Sequence, residues 1–483
     1  MIEVINSIQK LASSVSALNA YSTLRTRYAA DELFLLESLS GPEKKLQKSI
    51  VGVHPVLTLT LKNSEITLTG EPILCDALHP LLAENCPIFE TLRKIEAAFS
   101  VDYQDPSLDL SPRFGFFGLF SYDAVRYIET LPALIAEDPN AMPEVVLSIY
   151  QGLLYCDLKT NETYWIWNNF AGMDYKLDPD KCFALSGGRA ETMSIATIPH
   201  AKNITDSITK EAYFKGVQKA LHHISIGDIY QIQLGHTLDI ESPTDPFDVY
   251  LRMRKSNPSP FMYFAEIAGF TLIGASPELC VHVKGRELII RPLAGTIRRG
   301  KTSEEDQMLI TTLQNDPKEQ AEHIMLVDLA RNDIGRVCAV NTLKVTELMA
   351  IEAYSHVYHL VSNVVGQLAA GRDHYDAISA TFPAGTLTGA PKIRAMELIE
   401  ETETSRRGAY GGCVGFIDFR GNTELAICIR TAVYKDGHYY IRASAGIVAD
   451  STPEQEWQET LSKLGASFFA ITGRELKNEN LTD

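Results

Sequence analysis

Apolar residues between positions 316 and 333 recur with the spacing of a helix. Asp316 is a suitable N-cap, Pro317 suits the first helical position, and Glu319 stands three residues after the cap, so the pattern predicts a helix opened by a capping box. From 324 to 330 the sequence is apolar almost all the way round, which predicts a buried helix. Glu319 and Glu322 are three residues apart and therefore share a face.

A second stretch, from Thr452 to Leu464, has the same design. Thr452 can cap a helix, Pro453 can begin it, and an apolar stripe follows at helical spacing: Trp457, Leu461, Leu464 and Phe468. Glu456, Glu459 and Lys463 gather on another face. Two helices that each carry a glutamate pair could together hold one Mg²⁺ through one or two carboxylates and waters. The alternative is that both pairs are solvated helix faces.

The remaining pattern predicts an α+β protein with strands and inserted helices. In residues 1–195 it predicts a helix over 2–18, strands at 57–61 and 114–122, and a hairpin over 153–167 that turns at Thr160 and Asn161. Residues 170–206 are polar and predict a loop between this region and a second one at 205–475. The second region begins with an amphipathic helix over 209–224, and its hairpin turns are Lys284-Gly285, Arg420-Gly421-Asn422 and Asp436-Gly437.

Composition narrows the class of protein. The chain has 483 residues, 45% hydrophobic content and a net charge of -17, which describes a globular protein and argues against nucleic acid or an anionic membrane as partners. The N-terminus lacks a signal pattern and no apolar run is long enough to span a membrane, so we expect a cytoplasmic protein. None of the eight cysteines lies in a C-x-x-C pair or a Gly-x-Cys-x-Gly turn.

Several stretches carry candidate chemistry. Pro277 should end strand pairing after the apolar residues 270–273 and turn Glu278 away from the ladder, where it could act as a general acid. Residues 291–296 predict a strand that passes into a glycine turn at Gly295. Arg430 lies within an apolar strand pattern and needs an anion, either an internal carboxylate or a substrate. His359 follows His356 in another apolar strand, where a histidine is either a satisfied core residue or a proton-transfer group.

These motifs together resemble the chorismate-utilising enzymes. The resemblance rests on residues 276–278 (SPE), 293–296 (LAGT), 322–333 (EHIMLVDLARND), 359–362 (HLVS), 383–392 (PAGTLTGAPK) and 445–448 (AGIV). It implies two packed, mainly antiparallel β-sheets flanked by helices, with Mg²⁺ and chorismate between them.

Two positions indicate the branch of the family. Relatives that add water to chorismate carry a lysine base where this chain has Gln231, and the p-aminobenzoate branch carries a nucleophilic lysine where this chain has Ala294. The resemblance therefore implies that ammonia attacks C2, followed by loss of pyruvate to give anthranilate, which is the reaction of anthranilate synthase component I.

The resemblance also implies roles for individual residues. Glu322 and Glu459 would bind Mg²⁺ directly. Glu319 and Glu456 would hold its bound waters or support the two direct ligands. Glu278 would protonate the C4 hydroxyl, Gln231 would lie beside the incoming ammonia, and His359, supported by Thr386, would assist the loss of pyruvate. The substrate would be held by Gly295, Thr296, Tyr410, Arg430, Ser444, Ala445, Gly446 and Lys463.

A feedback site for L-tryptophan is a further implication of the resemblance. The residues that match it are Glu37, Ser38, Asn257, Pro260, Phe261 and Met262. A purely structural tryptophan site is the alternative.

Departures from the family pattern keep other activities open. Leu234-Gly235-His236 stands where relatives often show a small residue before an arginine-rich pair, and Leu293 replaces a common isoleucine. A 2-amino-2-deoxyisochorismate synthase, which aminates and stops, and an aminodeoxychorismate synthase with a 4-amino product are alternatives, as is a catalytically silent amino-acid-binding subunit. The chain lacks a glutaminase cysteine turn, so a separate glutamine amidotransferase should supply the ammonia.

Overall fold

A computed structural model of the protein describes residues 1–41, 47–82, 87–173, 198–354 and 357–477. Its strands are β1 (Ile2–Lys10), β2 (Leu33–Glu37), β3 (Lys48–Lys62), β4 (Glu65–Gly70), β5 (Phe99–Tyr103), β6 (Gly115–Phe120), β7 (Val145–Asp157), β8 (Glu162–Phe170), β9 (Asn203–Asp206), β10 (Gln231–Glu241), β11 (Phe261–Ile267), β12 (Phe270–Ser276), β13 (Leu279–Lys284), β14 (Glu287–Ile290), β15 (Leu293–Arg298), β16 (Lys344–Ala353), β17 (Val357–Gln367), β18 (Gly389–Ala390), β19 (Cys413–Asp418), β20 (Asn422–Ile427), β21 (Thr431–Lys435) and β22 (His438–Ile447). Its helices are α1 (Ala17–Leu24), α2 (Pro72–Leu78), α3 (Ile88–Ala97), α4 (Lys210–Ser225), α5 (Pro246–Ser256), α6 (Ser303–Asn315), α7 (Pro317–Gly335), α8 (His374–Thr381), α9 (Lys392–Glu400) and α10 (Pro453–Thr472).

The strands form two mainly antiparallel sheets that share β3 and β7. The first sheet has the order β5-β1-β8-β7-β3-β2-β11-β12-β21-β22-β10, with β9 and β18 along the outer side of β10. The second has the order β4-β3-β7-β6-β19-β20-β13-β14-β17-β16, with β15 beside β14 along β17. A positive φ of 60° at His54 and a register shift between Pro55 and Leu57 mark where β3 passes from one sheet to the other.

The two sheets pack face to face. Phe34 of the first sheet stacks on Phe117 of the second with 3.8 Å between ring centroids, inside a buried cluster that both sheets supply. Successive side chains of a strand point to opposite faces of the sheet. In β11, Tyr263 therefore joins this cluster between the sheets, whereas Met262 and Phe264 face a second cluster that includes residues of α1, α5 and α10. A third cluster lies between the second sheet and α2, α3, α7 and α8. The predicted α+β fold of two packed, helix-flanked sheets is confirmed.

The predicted N-terminal helix is wrong. Residues 2–10 form β1, which pairs in parallel with β5 and antiparallel with β8. Val4 and Asn6 are buried while their neighbours are more open, which is the two-residue period of a strand. The helix that follows begins only at Ala17, after the N-cap Ser16.

The structure also tests the predicted hairpin turns, helices and loop. The four hairpin turns and the helix predicted over 209–224 are confirmed, and this helix begins at Lys210. Residues 203–206, predicted as loop, form the edge strand β9. The rest of that predicted loop, at 174–197, lies outside the described residues, so the division into regions 1–195 and 205–475 stays a prediction. In the described part of the chain, no helix is long and apolar enough to cross a membrane.

Helix α7 is correctly bounded but is not buried all round. Asp316 accepts from the amides of Lys318 and Glu319, as predicted for an N-cap, but Glu319 does not complete a capping box. Ile324 is 39% exposed, because only one face of the helix packs against the sheet and α8. The buried residues of that face are His323, Leu326, Val327, Ala330, Asp333 and Ile334.

Candidate active site

Helices α7 and α10 bring their glutamates into one place although the two helices are far apart in sequence. Burial first, and then the charges of Glu319 and Glu459, raise the pKa of Glu322. Burial first, with the charges of Asp316 and Glu459 contributing, also raises the pKa of Glu319. A charge acts on a pKa in this way only at short range, so Glu459 of α10 lies near Glu319 and Glu322 of α7.

This carboxylate group suits Mg²⁺. The Oε2 atom of Glu456 is buried with no hydrogen-bond partner in the described part of the chain, and a buried unpaired carboxylate oxygen favours a cation beside it. Among the described residues, no group of three or more His, Cys, Asp or Glu side chains is placed to hold a metal ion by itself. Magnesium does not require one, because it keeps several waters and takes one or two carboxylates from the protein.

Lys463 closes the α10 side of the group. Its Nζ lies 2.6 Å from Glu459 Oε1 and donates to the carbonyl of Ser444 at 2.9 Å. The predicted helical face of Glu456, Glu459 and Lys463 is therefore directed at β22, whose backbone is predicted to hold the substrate.

One face of β10 and β22 lies against these carboxylates. Gln231 Nε2 donates to Glu322 Oε1 at 3.3 Å, and its Oε1 atom is buried with no partner among the described residues. A Cβ at Gly446 would lie 2.9 Å from Gln231 Nε2 and 2.8 Å from Gln233 Nε2, so only glycine leaves room for both amides. Ser444 shares this face, whereas the side chain of Ala445 points to the opposite face of the strand.

Arg430 does not lie in a strand. It lies between β20 and β21 with a φ of 51°. The prediction that Arg430 continues the apolar strand pattern of residues 425–429 is therefore wrong. Burial lowers the pKa of Arg430, and the charges of Tyr410, Glu459 and Glu278 oppose this shift, which places all three groups near it. Among the described residues, no carboxylate forms an ion pair with its guanidinium. The internal-anion alternative therefore finds no support, and the group is available to a substrate carboxylate.

Glu278 lies in the break between β12 and β13, as predicted, and is 8% exposed. The hydroxyl of Thr386 donates to Glu278 Oε1 at 2.8 Å, and the support of His359 by Thr386 stays a prediction. The amide of Ile427, at the end of β20, donates to the carbonyl of Glu278 at 3.0 Å and fixes its backbone.

His359 lies beside the predicted glycine turn. That turn is a bulge in β15, with a φ of 69° at Gly295 and a register shift between Ala294 and Thr296. The Nδ1 atom of His359 is 2.9 Å from Thr296 Oγ1 and 3.3 Å from the carbonyl of Gly295. A Cβ at Gly295 would lie 3.2 Å from Glu319 Oε2, which places the bulge against the first turn of α7.

Sequence reasoning missed three supporting residues. Gln233 follows Gln231 by two positions in a strand, and that alternation could have revealed it. His323 Nε2 lies 2.6 Å from Ser362 Oγ and ties α7 to β17. Arg407 pairs with Glu403 at 2.8 Å in the core and donates to the carbonyls of Leu387 and Gln233. No local signal marks the pair of His323 and Ser362, because the two residues are 39 positions apart. Glu403 and Arg407 are only four positions apart, and that spacing of opposite charges could have revealed the pair.

The predicted feedback residues lie elsewhere, around a cavity of about 50 Å³ between the two sheets. Ser38 Oγ donates to the carbonyl of Pro260 at 2.9 Å at its wall, and Phe261 and Met262 line it. Glu37 also lines it, but its carboxylate is occupied by Arg254 and Tyr250. Asn257 ends α5 and is not part of the cavity wall.

Comparisons with known proteins show the family of the chain. The family model of the chorismate binding enzymes matches residues 31–468, and the chain belongs to this family. A 2-amino-4-deoxychorismate synthase of Streptomyces globisporus is 42% identical, with 95% of each chain covered. Anthranilate synthase component 1 of Acetivibrio thermocellus is 39% identical over 91% of this chain and 90% of its own. The crystal structure of anthranilate synthase component I from Streptococcus pneumoniae superposes with a TM-score of 0.73 at 31% identity and covers 87% of this chain and 92% of that one.

Proposed function

We propose that this enzyme aminates chorismate at C2 with ammonia and then releases pyruvate to give anthranilate. Chorismate and ammonia are converted to anthranilate, pyruvate and water. The observation that carries the proposal is Gln231: an amide, with a buried and unpaired Oε1, lies beside the carboxylates that suit Mg²⁺.

Gln231 favours ammonia over water as the nucleophile. An amide cannot remove a proton from water, because it is not a base near neutral pH. Its Oε1 atom can accept a hydrogen bond from an N–H group. Ammonia has three N–H groups to donate and keeps its lone pair for the attack on C2. Ala294, in β15, provides no amine that could form a covalent adduct with the ring.

Residues of this chain bind and orient the substrate. Arg430 and Tyr410 receive the enolpyruvyl carboxylate, and the bulge at Gly295 and Thr296 and the backbone of Ser444, Ala445 and Gly446 hold the ring. Glu322 and Glu459 would hold Mg²⁺, with Glu319 and Glu456 supporting bound waters, and the ion would neutralise the ring carboxylate that Lys463 also reaches.

Two groups handle protons. Glu278 protonates the departing C4 hydroxyl, and because Thr386 donates to its Oε1 atom, we assign the acidic proton to Oε2. His359 assists the loss of pyruvate, with Thr296 and the carbonyl of Gly295 holding its Nδ1 side.

A second candidate function is amination without the release of pyruvate. It is favoured by the 42% identity to the 2-amino-4-deoxychorismate synthase, whose name places an amino group on C2 and removes the C4 oxygen while keeping the chorismate skeleton. Leu293 and the Leu234-Gly235-His236 segment also depart from the pattern of tryptophan-pathway members.

A product assay separates these candidates. Purified protein with chorismate, Mg²⁺ and ammonium should release anthranilate, followed by fluorescence, and an equal amount of pyruvate, followed with lactate dehydrogenase. A non-fluorescent 2-amino product without pyruvate would establish the second candidate. A 4-amino product would reject both.

We further propose a cytoplasmic enzyme that receives ammonia from a glutamine amidotransferase subunit and is inhibited by L-tryptophan. Support for the subunit comes from the absence of a glutaminase cysteine turn in the sequence. Support for inhibition comes from the cavity that Ser38, Pro260, Phe261 and Met262 line. Glutamine-dependent activity of this chain alone would contradict the proposed subunit.

A further inference from the structure

His236 is a departure from the family pattern that the proposed reaction does not use. It lies on the face of β10 opposite Gln231 and Gln233 and is fully buried. An imidazole with two polar nitrogens is costly to bury unless both are hydrogen-bonded.

Both nitrogens of His236 have partners on other elements. Nδ1 lies 2.8 Å from Asp206 Oδ1 on the edge strand β9, and Nε2 lies 2.8 Å from Thr460 Oγ1 on α10. The Thr460 hydroxyl donates its own proton to the carbonyl of Trp457 at 2.7 Å, so it accepts from Nε2. A carboxylate only accepts, so the geometry makes both ring N–H groups donors.

His236 also stacks on Trp457. The ring centroids are 4.6 Å apart and the planes differ by 14°, while Tyr213 of α4 packs edge-on against both rings. His236 therefore contacts α10 at two residues, Trp457 and Thr460, each of which directly follows a glutamate of the metal group, Glu456 or Glu459.

These two contacts fix the rotation of α10 about its axis. A glutamate carboxylate lies roughly 6 Å from the helix axis, so a rotation of about 10° would displace it by roughly 1 Å. Magnesium requires oxygen ligands at about 2.0–2.1 Å in near-octahedral geometry, so a displacement of that size weakens its binding. From this geometry, and resting on the proposed Mg²⁺-dependent function, we infer that Asp206, His236 and Thr460 are positioning residues that orient Glu456 and Glu459 toward the metal.

The test compares Mg²⁺ binding with fold stability. His236→Phe keeps the ring stack and removes both hydrogen bonds. Arg252→Met is the matched control, because Arg252 anchors the same helix at its far end by donating to the carbonyl of Ala470 at 3.1 Å. Mg²⁺ is titrated calorimetrically into each protein, alone and with chorismate but without ammonia, and melting temperatures are recorded.

We expect His236→Phe to weaken Mg²⁺ binding by about 10-fold to 100-fold, the range typical for loss of a group that orients a metal ligand. Arg252→Met should lower the melting temperature and leave Mg²⁺ affinity within about twofold. The inference is overturned if His236→Phe only lowers the melting temperature. If that variant does not fold, Asp206→Ala, at the sheet edge, is judged by the same criterion.

Failure of the inference can be told apart from failure of the proposed function. If wild-type protein neither binds Mg²⁺ in these titrations nor turns over chorismate with Mg²⁺ and ammonium, the proposed function fails and this inference fails with it. If the wild type does both and His236→Phe binds Mg²⁺ normally, only the inference fails.

Discussion

At the scale of single residues, the proposed function assigns the choice of nucleophile to one side chain in β10. Gln231 lies 3.3 Å from Glu322, so a lysine in its place would meet a carboxylate and stay close to the proposed position of the substrate ring. Such a lysine could act as the base that the glutamine cannot be.

Gln231→Lys should therefore lose amination and gain hydration of chorismate. We expect 2-hydroxy product to form about 100-fold faster than in Gln231→Leu, the usual contribution of a positioned base. Chromatography of the products, with and without ammonium, measures both activities. Wild-type amination rates in the lysine variant would contradict the role of Gln231.

The buried pair of Arg407 and Glu403 makes a prediction about stability and pH. Burial would raise the pKa of Glu403, but the charges of Arg407 and Arg442 outweigh burial and lower it. A carboxylate with a lowered pKa stabilises the fold above its unfolded pKa of about 4.3, and this contribution is lost as the pH falls through the folded pKa.

Arg407→Met should accordingly lower the free energy of unfolding by about 3–5 kcal/mol at pH 7. The difference from wild type should shrink below about pH 4, as Glu403 becomes protonated in the unfolded chain and in the variant. Urea unfolding at several pH values measures this. Arg331→Met, which removes an exposed pair with Asp328, should change stability by less than about 1 kcal/mol.

At the scale of elements, the two helices that carry the glutamates were the most predictable part of the candidate site. Their caps and their glutamate spacing are local features, so the sequence alone indicates where each begins and which residues share a face. Arg430 was not predictable in this way, because the left-handed backbone that removes it from the strand is imposed by neighbouring strands. The partner of Thr386 was not predictable either, since Glu278 is 108 residues away.

Exchange of a glutamate on either helix tests the shared metal site. Glu322→Gln and Glu459→Gln should each reduce Mg²⁺-dependent turnover by more than about 100-fold, which exceeds the usual loss for an outer residue. Glu454→Gln, an exposed change in the first turn of α10, should be silent. Turnover measured across Mg²⁺ concentrations is the readout, and normal Mg²⁺ dependence in either site variant would disprove the shared ion.

The residues that line the cavity between the sheets allow a test of the proposed inhibition by L-tryptophan. Ile50 of β3 lines the cavity, and Val51 faces the opposite side of the same strand. If L-tryptophan inhibits by entering there, Ile50→Phe should raise the inhibitory concentration at least about tenfold, because overpacking costs more than 1 kcal/mol. Val51→Ile is the control and should remain sensitive. Equal sensitivity of both variants would place any tryptophan site elsewhere.

At the scale of the whole molecule, the predicted boundary between regions does not separate two sheets. Strand β2 pairs with β11 and β6 pairs with β19, so both sheets cross from the first region into the second. The sequence could indicate strands and hairpins, which are local, but these four strands pair across more than 200 residues of chain.

A fragment of residues 205–477 should therefore aggregate when produced alone, since it exposes the unpaired edges of β11 and β19. Co-expression with residues 1–195 should restore solubility and activity, which fractionation and the product assay would show. A soluble, active fragment would contradict the shared-sheet arrangement.

The end of β20 connects the cavity to Glu278, the proposed general acid. Ala426 lines the cavity, and Ile427, the next residue, holds the backbone of Glu278. If tryptophan acts there, selection for growth on a toxic tryptophan analogue should yield two kinds of resistant strain. Substitutions in β20 should relieve inhibition but also lower the turnover rate of the enzyme. Substitutions in β3 should relieve inhibition and leave the turnover rate unchanged. A screen that also requires fast growth should therefore recover substitutions in β3.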